Sequence, residues 1–283
     1  MGRSAHAERP DRCDRHGVDD AAVLEVLAEA DSRPSLLPRL GGLARPDGVA
    51  IVSERVWCFS RVEGGAPATG QMPRPPALVG RLPLVRGLAK LAVSLAPLLG
   101  RRGAARPAER LVLLAALVAP LPIALVPSEL RAEALVLVIV ALLAWMLRGA
   151  TLRLHGAEHR AIAAAETGRL VDTWHGRVRP SRFSLRCGTN FAALVVPMSL
   201  LLERVWIVPS SALTPVFVSL AALTLTMEIW LAAQRWISPI GRIVLLPGLA
   251  LQRLTTREPE LAETRVALRA VAGVLAADRG PVT

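Results

Sequence analysis

Long apolar runs separated by short polar segments set the pattern of this chain, and the runs have the length of helices rather than of strands. Residues 111–128 hold no charged side chain, although Pro120 and Pro122 should kink a helix there. A second run, 129–148, has Ser128 as a candidate cap, Glu129 in its first turn and Arg148 at its end, which is the order of charge a helix favours. Runs at 190–208 and 211–236 follow, divided by Pro209 and two serines. About 20 apolar residues cross a bilayer as a helix, so the four runs predict four transmembrane helices. LPLVRGLAKLAVSLAPLLG (82–100) is also apolar, but Arg86 and Lys90 lie four apart on one face, as in a helix lying in the membrane interface. The stretch 240–254, cut by Pro247 and Gly248, is too short to span and reads as interfacial or re-entrant. After Pro259 an amphipathic helix is predicted, with Leu261, Leu268, Val271 and Leu275 on its apolar side.

Ahead of these runs the pattern is different. Residues 1 to about 45 are rich in charge, proline and glycine, with one short helix predicted over 19–31 and Asp19 as its cap. GVAIVSERVWCFSRV (48–62) is β-branched and aromatic and predicts a small hairpin, and GGAPATGQMPRPP (64–76) reads as a linker. The predicted fold class is an all-α integral membrane protein with about four transmembrane helices, interfacial amphipathic helices and a small N-terminal β element. Three segments result: a cytoplasmic 1–79, a membrane domain 80–257, and a C-terminal helix and tail 258–283.

Composition strengthens the membrane class, since 52% of the 283 residues are hydrophobic and the mean hydropathy is +0.42. The net charge of +11 invites a nucleic-acid reading. Every basic residue except Lys90 is arginine and tyrosine is absent, so biased composition plus membrane topology accounts for the charge better than nucleic-acid binding. The connection 149–189 carries seven arginines against Glu158, Glu166 and Asp172, while the connections near 128–131 and 209–211 are short and nearly neutral. The positive-inside rule then predicts both termini and this connection in the cytoplasm. Cys13, Cys58 and Cys187 are too few and scattered for a disulfide framework, and the polar N-terminus lacks a signal-peptide core. The expected partner is the lipid bilayer, with an anionic lipid or a membrane protein as a further candidate.

Chemistry concentrates in that connection. LHGAEHRAIAAAETG (154–168) holds His155 and His159, which share a helical face at i and i+4, with Glu158 beside them and Gly168 as a stop. Both imidazoles can reach one divalent ion, zinc by preference, and Glu158 is a candidate general base; the order H-x-x-E-H is that of inverzincin hydrolases. The alternative is a polar membrane-surface helix whose histidines meet headgroups or solvent. Glu166 lies two turns beyond His159, about 10 Å along the axis, too far to share the ion. A third ligand is needed, and there are two candidates. One is Cys187 in RCGTNF; the other is Glu228 in TLTMEIWLAA, a carboxylate inside an apolar run and so a functional candidate. Arg235, two turns along, offers Glu228 a purely structural partner. Glu158 and Glu228 are thus the candidate catalytic carboxylates, and His155, His159 and Cys187 the candidate metal ligands.

Together, LHGAEHRAI, RCGTNF and PGLALQRLTTREPE resemble the YqhQ-like bacterial membrane proteins, domain of unknown function 1385, often labelled predicted metal-dependent enzymes. The resemblance covers about residues 80 to 272, with motif positions on His155, Glu158, His159, Glu166, Arg186, Cys187, Gly188, Thr189, Glu228, Arg257 and Glu258. It implies a bacterial inner-membrane location and a metal-dependent, hydrolase-like activity at a cytoplasmic His/Glu/Cys site. The chain departs from the family pattern at Ser184, where the pattern has histidine, near Val93, where it has Glu, and in DGVAIVSERV, where it has a Gly-Gly-Gln-Ala-type opening with Glu. Two readings follow: a metal-dependent membrane enzyme, or a non-enzymatic membrane module whose arginine-rich loop binds anionic lipid, ribosomal RNA or a membrane protein. A transporter built on Glu228 ranks below both, because the four runs show no internal repeat.

Overall fold

Strand alternation gives the first layer of the structure. In the computed structural model, which describes residues 19–82, 85–99, 105–123, 126–146, 148–207, 211, 213–235 and 239–279, four strands form one antiparallel sheet in the order β1 (Gly41–Arg45), β2 (Gly48–Val52), β3 (Val56–Arg61), β4 (Ala68–Gln71). Side chains alternate across it. Val49, Ile51 and Cys58 face one core; Ala50, Trp57 and Phe59 face a second, smaller one with Met72 and Val93. Both faces are therefore covered. The sheet runs well beyond the expected hairpin over 48–62: β1 recruits the glycine-rich GGLAR, and β4 lies inside the segment expected to be a linker.

The helices follow in chain order: α1 (Asp20–Ser32), α2 (Ala77–Arg81), α3 (Val85–Leu99), α4 (Pro107–Val118), α5 (Pro120–Ile123), α6 (Arg131–Met146), α7 (Thr151–Glu166), α8 (Leu170–Trp174), α9 (Gly188–Val205), α10 (Thr214–Arg235), α11 (Pro239–Thr255) and α12 (Leu261–Arg279). Asp19 caps α1 by accepting from the Ala21 N–H at 3.0 Å. The larger core joins the sheet to α1, α7, α8 and α12. Helix α12 comes close to β3 because Gly273 lacks a side chain; a Cβ there would meet Cys58 Sγ at 2.3 Å. Burial pushes the Cys58 thiol up to about 12, so it behaves as a small hydrophobe. The remaining helices form a second layer, in which α10 packs on α9 and α3, and α11 packs on α9.

This arrangement corrects the all-α, four-span expectation. Among the described residues, one helix, Thr214–Gln234, is long and apolar enough to cross a membrane. Prolines 120 and 122 do more than kink the first run: it divides into the 12-residue α4 and the 4-residue α5. The second run forms 16 helical residues, about 24 Å at 1.5 Å per residue and short of a bilayer core. The third is diluted by Asn190 at one end and by Glu203 and Arg204 at the other. Without four crossings the charge-asymmetry argument no longer fixes the sides of the termini. Cys13 lies outside the described residues. Among the described residues, the exposed large apolar side chains nevertheless lie almost entirely between Leu78 and Leu254; the exceptions are Leu36, Val62 and Leu261.

Candidate metal centre

Helix α7 is alanine-rich, a composition that favours helix, and it ends where Gly168 takes φ +61°. It is not the surface helix of the alternative reading. His155, Glu158, His159 and Arg160 are all buried, with β1 on one side and α12 on another. Two glycines let the packing close. A Cβ on Gly42 of β1 would overlap the Glu158 side chain at 2.6–2.8 Å, and one on Gly156 would meet the Arg257 carbonyl at 2.2 Å. Gly156 thus allows the segment after α11 to lie directly across α7, where the Arg257 N–H donates to Leu152 O at 2.9 Å.

The last residue of α11, where the crossing begins, orients the first histidine. His155 Nδ1 lies 2.8 Å from Thr255 O, and His159 Nδ1 lies 2.7 Å from Arg182 O. A carbonyl only accepts, so both Nδ1 atoms carry a proton, and in the neutral form of each ring Nε2 presents the lone pair. His155 Nε2 is 3.1 Å from Cys187 Sγ. His159 Nε2 is buried with no hydrogen-bond partner. Cys187 stands at the N-cap of α9, where its Sγ accepts from Thr189 Oγ1 at 3.0 Å and Thr189 N at 3.4 Å. The three ligand atoms lie within 4.8 Å of one another. A tetrahedral zinc with these ligands has edges of about 3.3–3.6 Å, so small side-chain rotations bring the donors to bonding distance. Metal-bound histidines characteristically donate their other ring N–H to a carbonyl or carboxylate, and both do so here.

The loop supplying Cys187 is tied down from two directions. Gln252 of α11 donates from Nε2 to Ser184 O at 2.7 Å and accepts from Ser184 N at 2.9 Å, while Asn190 Nδ2 donates to the Ser184 and Leu185 carbonyls. Arg160 reaches Pro180 O and Glu258, and Arg182 reaches the carbonyl and hydroxyl of Thr256. Glu166, too distant to bind the ion, pairs with Arg186 at 2.5 Å and so ties the far end of α7 to the RCGT turn.

Glu158 sits beside His155 rather than among the three donors. Burial raises its carboxyl to about 7, partly offset by the neighbouring His155 ring and the Ala44 N–H. Glu228 is held elsewhere: Arg86 of α3 donates from Nε and Nη2 to its two oxygens at 2.7 and 2.6 Å. Its suggested partner Arg235 has a side chain outside the described set. Of the five residues predicted for the site, three converge into a group that could hold a metal ion, one lies alongside, and Glu228 joins α3 to α10. Thr255, Arg182, Gln252 and Asn190 were missed; Thr255, Gln252 and Asn190 fall inside the conspicuous strings PGLALQRLTTREPE and RCGTNF, which was the available signal.

Residues 107–277 match the family described as "Protein of unknown function (DUF1385)". The match contains all three ligand donors and both orienting carbonyls. No curated protein and no solved structure matches the chain.

Proposed function

We propose, for a chain that belongs to the DUF1385 family, a metal-dependent enzyme of hydrolase type in which His155 and His159, through Nε2, and Cys187, through Sγ, hold one divalent transition metal. Two nitrogens and a sulfur favour zinc. The observation that carries the reading is the buried, unpartnered Nε2 of His159, aimed with a fixed tautomer beside the His155–Cys187 pair. Left alone, such an atom costs roughly 1–3 kcal/mol; a metal removes the cost. Three protein ligands leave one coordination position for Lewis-acid chemistry. Around it the chain supplies buried residues of α7 and Cys187 at the end of the 180–187 loop. Glu158, a buried acid near neutrality next to His159 in the chain and three residues from His155, can hold or release a proton. The Thr255 and Arg182 carbonyls keep both rings in the ligating tautomer.

Membrane residence belongs to the same proposal. Helix α10 is long and apolar enough to cross, and 33% of its apolar window is buried within the molecule, leaving a surface suited to lipid.

The test is elemental analysis of the purified full chain and of the double variant His155→Ala/His159→Ala. Stoichiometric metal in the native protein, lost in the variant with the helical circular-dichroism signal retained, is the expected result. A metal-free native protein, or equal content in both, would overturn the assignment.

A further inference from the structure

Helix α11 has one face in use and one unexplained. Gly241, Leu245, Gly248, Gln252 and Thr255 are buried, and Gly248 is so close to α9 that a Cβ would meet the Asn190 side chain at 2.2 Å. Turned about 180° from these around the helix axis, Ile243, Leu246, Pro247, Ala250 and Leu254 are all exposed. Leu254 is 72% and Ile243 62% exposed. Their three- and four-residue spacing makes one continuous apolar stripe.

Charge at the end of that stripe tells what it meets. Arg253 and Arg257 are exposed there. The hydrogen bonds between Gln252 and Ser184 set the exposed Phe183 and Leu185 alongside the same end of the helix. The nearby acids are engaged by other arginines: Glu258 by Arg160 and Arg182, Glu260 and Glu263 by Arg153, and Glu166 by Arg186. Among the described residues Arg253 and Arg257 have no acidic partner. An apolar stripe ending in uncompensated arginines matches an anionic lipid surface, with acyl chains for the stripe and phosphates for the guanidinium groups. Nucleic acid would satisfy the arginines and leave the stripe in water. A second copy of the chain would bring like charges together.

We infer that α11 docks on an anionic lipid surface, its stripe in the acyl boundary and Arg253 and Arg257 on headgroup phosphates. Thr255, the last residue of α11, orients His155, so docking seats the metal centre at the lipid–water boundary; this second clause rests on the metal reading above.

The full chain is reconstituted in vesicles of phosphatidylcholine with or without phosphatidylglycerol, each carrying a diazirine in the acyl chain, and lipid adducts are mapped by mass spectrometry. Adducts on Ile243, Leu246 and Leu254 in anionic vesicles, reduced on the order of ten-fold by Arg253→Gln/Arg257→Gln and unaffected by that change in neutral vesicles, are expected. Adducts confined to α10, equal α11 labelling in both lipids, or α11 cross-linked to a second copy would overturn the docking. Metal content of the same samples separates the two ideas. Lipid-labelled α11 in a metal-free protein sustains the docking and sinks the metal site; loaded protein with unlabelled α11 does the reverse.

Discussion

Single residues carry the chemistry, and Glu158 makes a measurable demand on the folded state. Its carboxyl titrates near 4.5 when solvated and at about 7 when folded, so folding takes up a proton between those values. The stability it contributes is complete below pH 4.5 and is lost as pH rises through 7, on the order of 3 kcal/mol in all. Glu158→Gln keeps the shape and the acceptor for Ala44 but cannot ionise. In chelator-treated protein the variant should unfold at more denaturant than the parent at pH 8 and at nearly the same concentration at pH 5. Parallel pH profiles would show that the carboxyl is not held protonated. His155 and His159 were legible because helical spacing depends only on local sequence. Cys187 was legible as one of two third-ligand candidates, since RCGTNF heads a helix. The carbonyls of Arg182 and Thr255 were not, because every residue has a carbonyl and only tertiary packing selects which one meets a ring. Nor could the sequence show Arg86, 142 positions from Glu228, drawing that carboxylate into an ion pair.

Between elements, glycines decide how near two backbones come. Replacing Gly156 by alanine would gain about 1 kcal/mol of helix propensity. It also drives a Cβ into the Arg257 carbonyl, which cannot rotate away, and overpacking of this kind costs about 1–3 kcal/mol. The clash should prevail. Gly156→Ala is expected to destabilise modestly while weakening metal binding at least ten-fold, since the Thr255 carbonyl shifts with the segment; competitive chelator titration reads the second effect. At the opposite contact, Gly273→Ala should be destabilising alone and much less so with Cys58→Ala, which removes the sulfur it strikes. A double-mutant cycle in denaturant with no coupling between the two sites would contradict the close approach of α12 to β3. Strand β1 escaped prediction for a related reason. GGLAR has no β-branched run, and its Gly42 serves contact with α7 rather than strand propensity.

For the molecule as a whole, hydropathy reported apolarity correctly and crossing number wrongly, because it averages over prolines and short helices that end a span. What the apolar runs built is a helical layer whose exposed leucines and valines lie between Leu78 and Leu254, set beside a sheet-centred layer that carries the histidines. The donor atoms and their orienting carbonyls come from α7, the 180–187 loop and the 255–259 crossing, so a metal would fasten separate parts of the chain. Bound at a thousand times its dissociation constant, it would add about 4 kcal/mol to stability. Chelation should therefore lower the melting temperature, and it should raise amide exchange in 180–189 and 255–259 well before exchange rises in α12. Uniform acceleration across the chain would indicate global destabilisation rather than release of a clasp.

The crossing of residues 255–259 over α7 also sets an order of events during synthesis. A nascent chain extended to residue 230 already contains both histidines and the cysteine, but not the Thr255 carbonyl that fixes the His155 ring, nor Gln252, which holds the cysteine loop. Domains fold from the N-terminus as the chain emerges, yet here the earliest donors wait for some of the last residues. Ion capture by the proposed site would then be a finishing step, and a ribosome-stalled fragment ending at residue 230 should hold zinc far more weakly than one extended past α12.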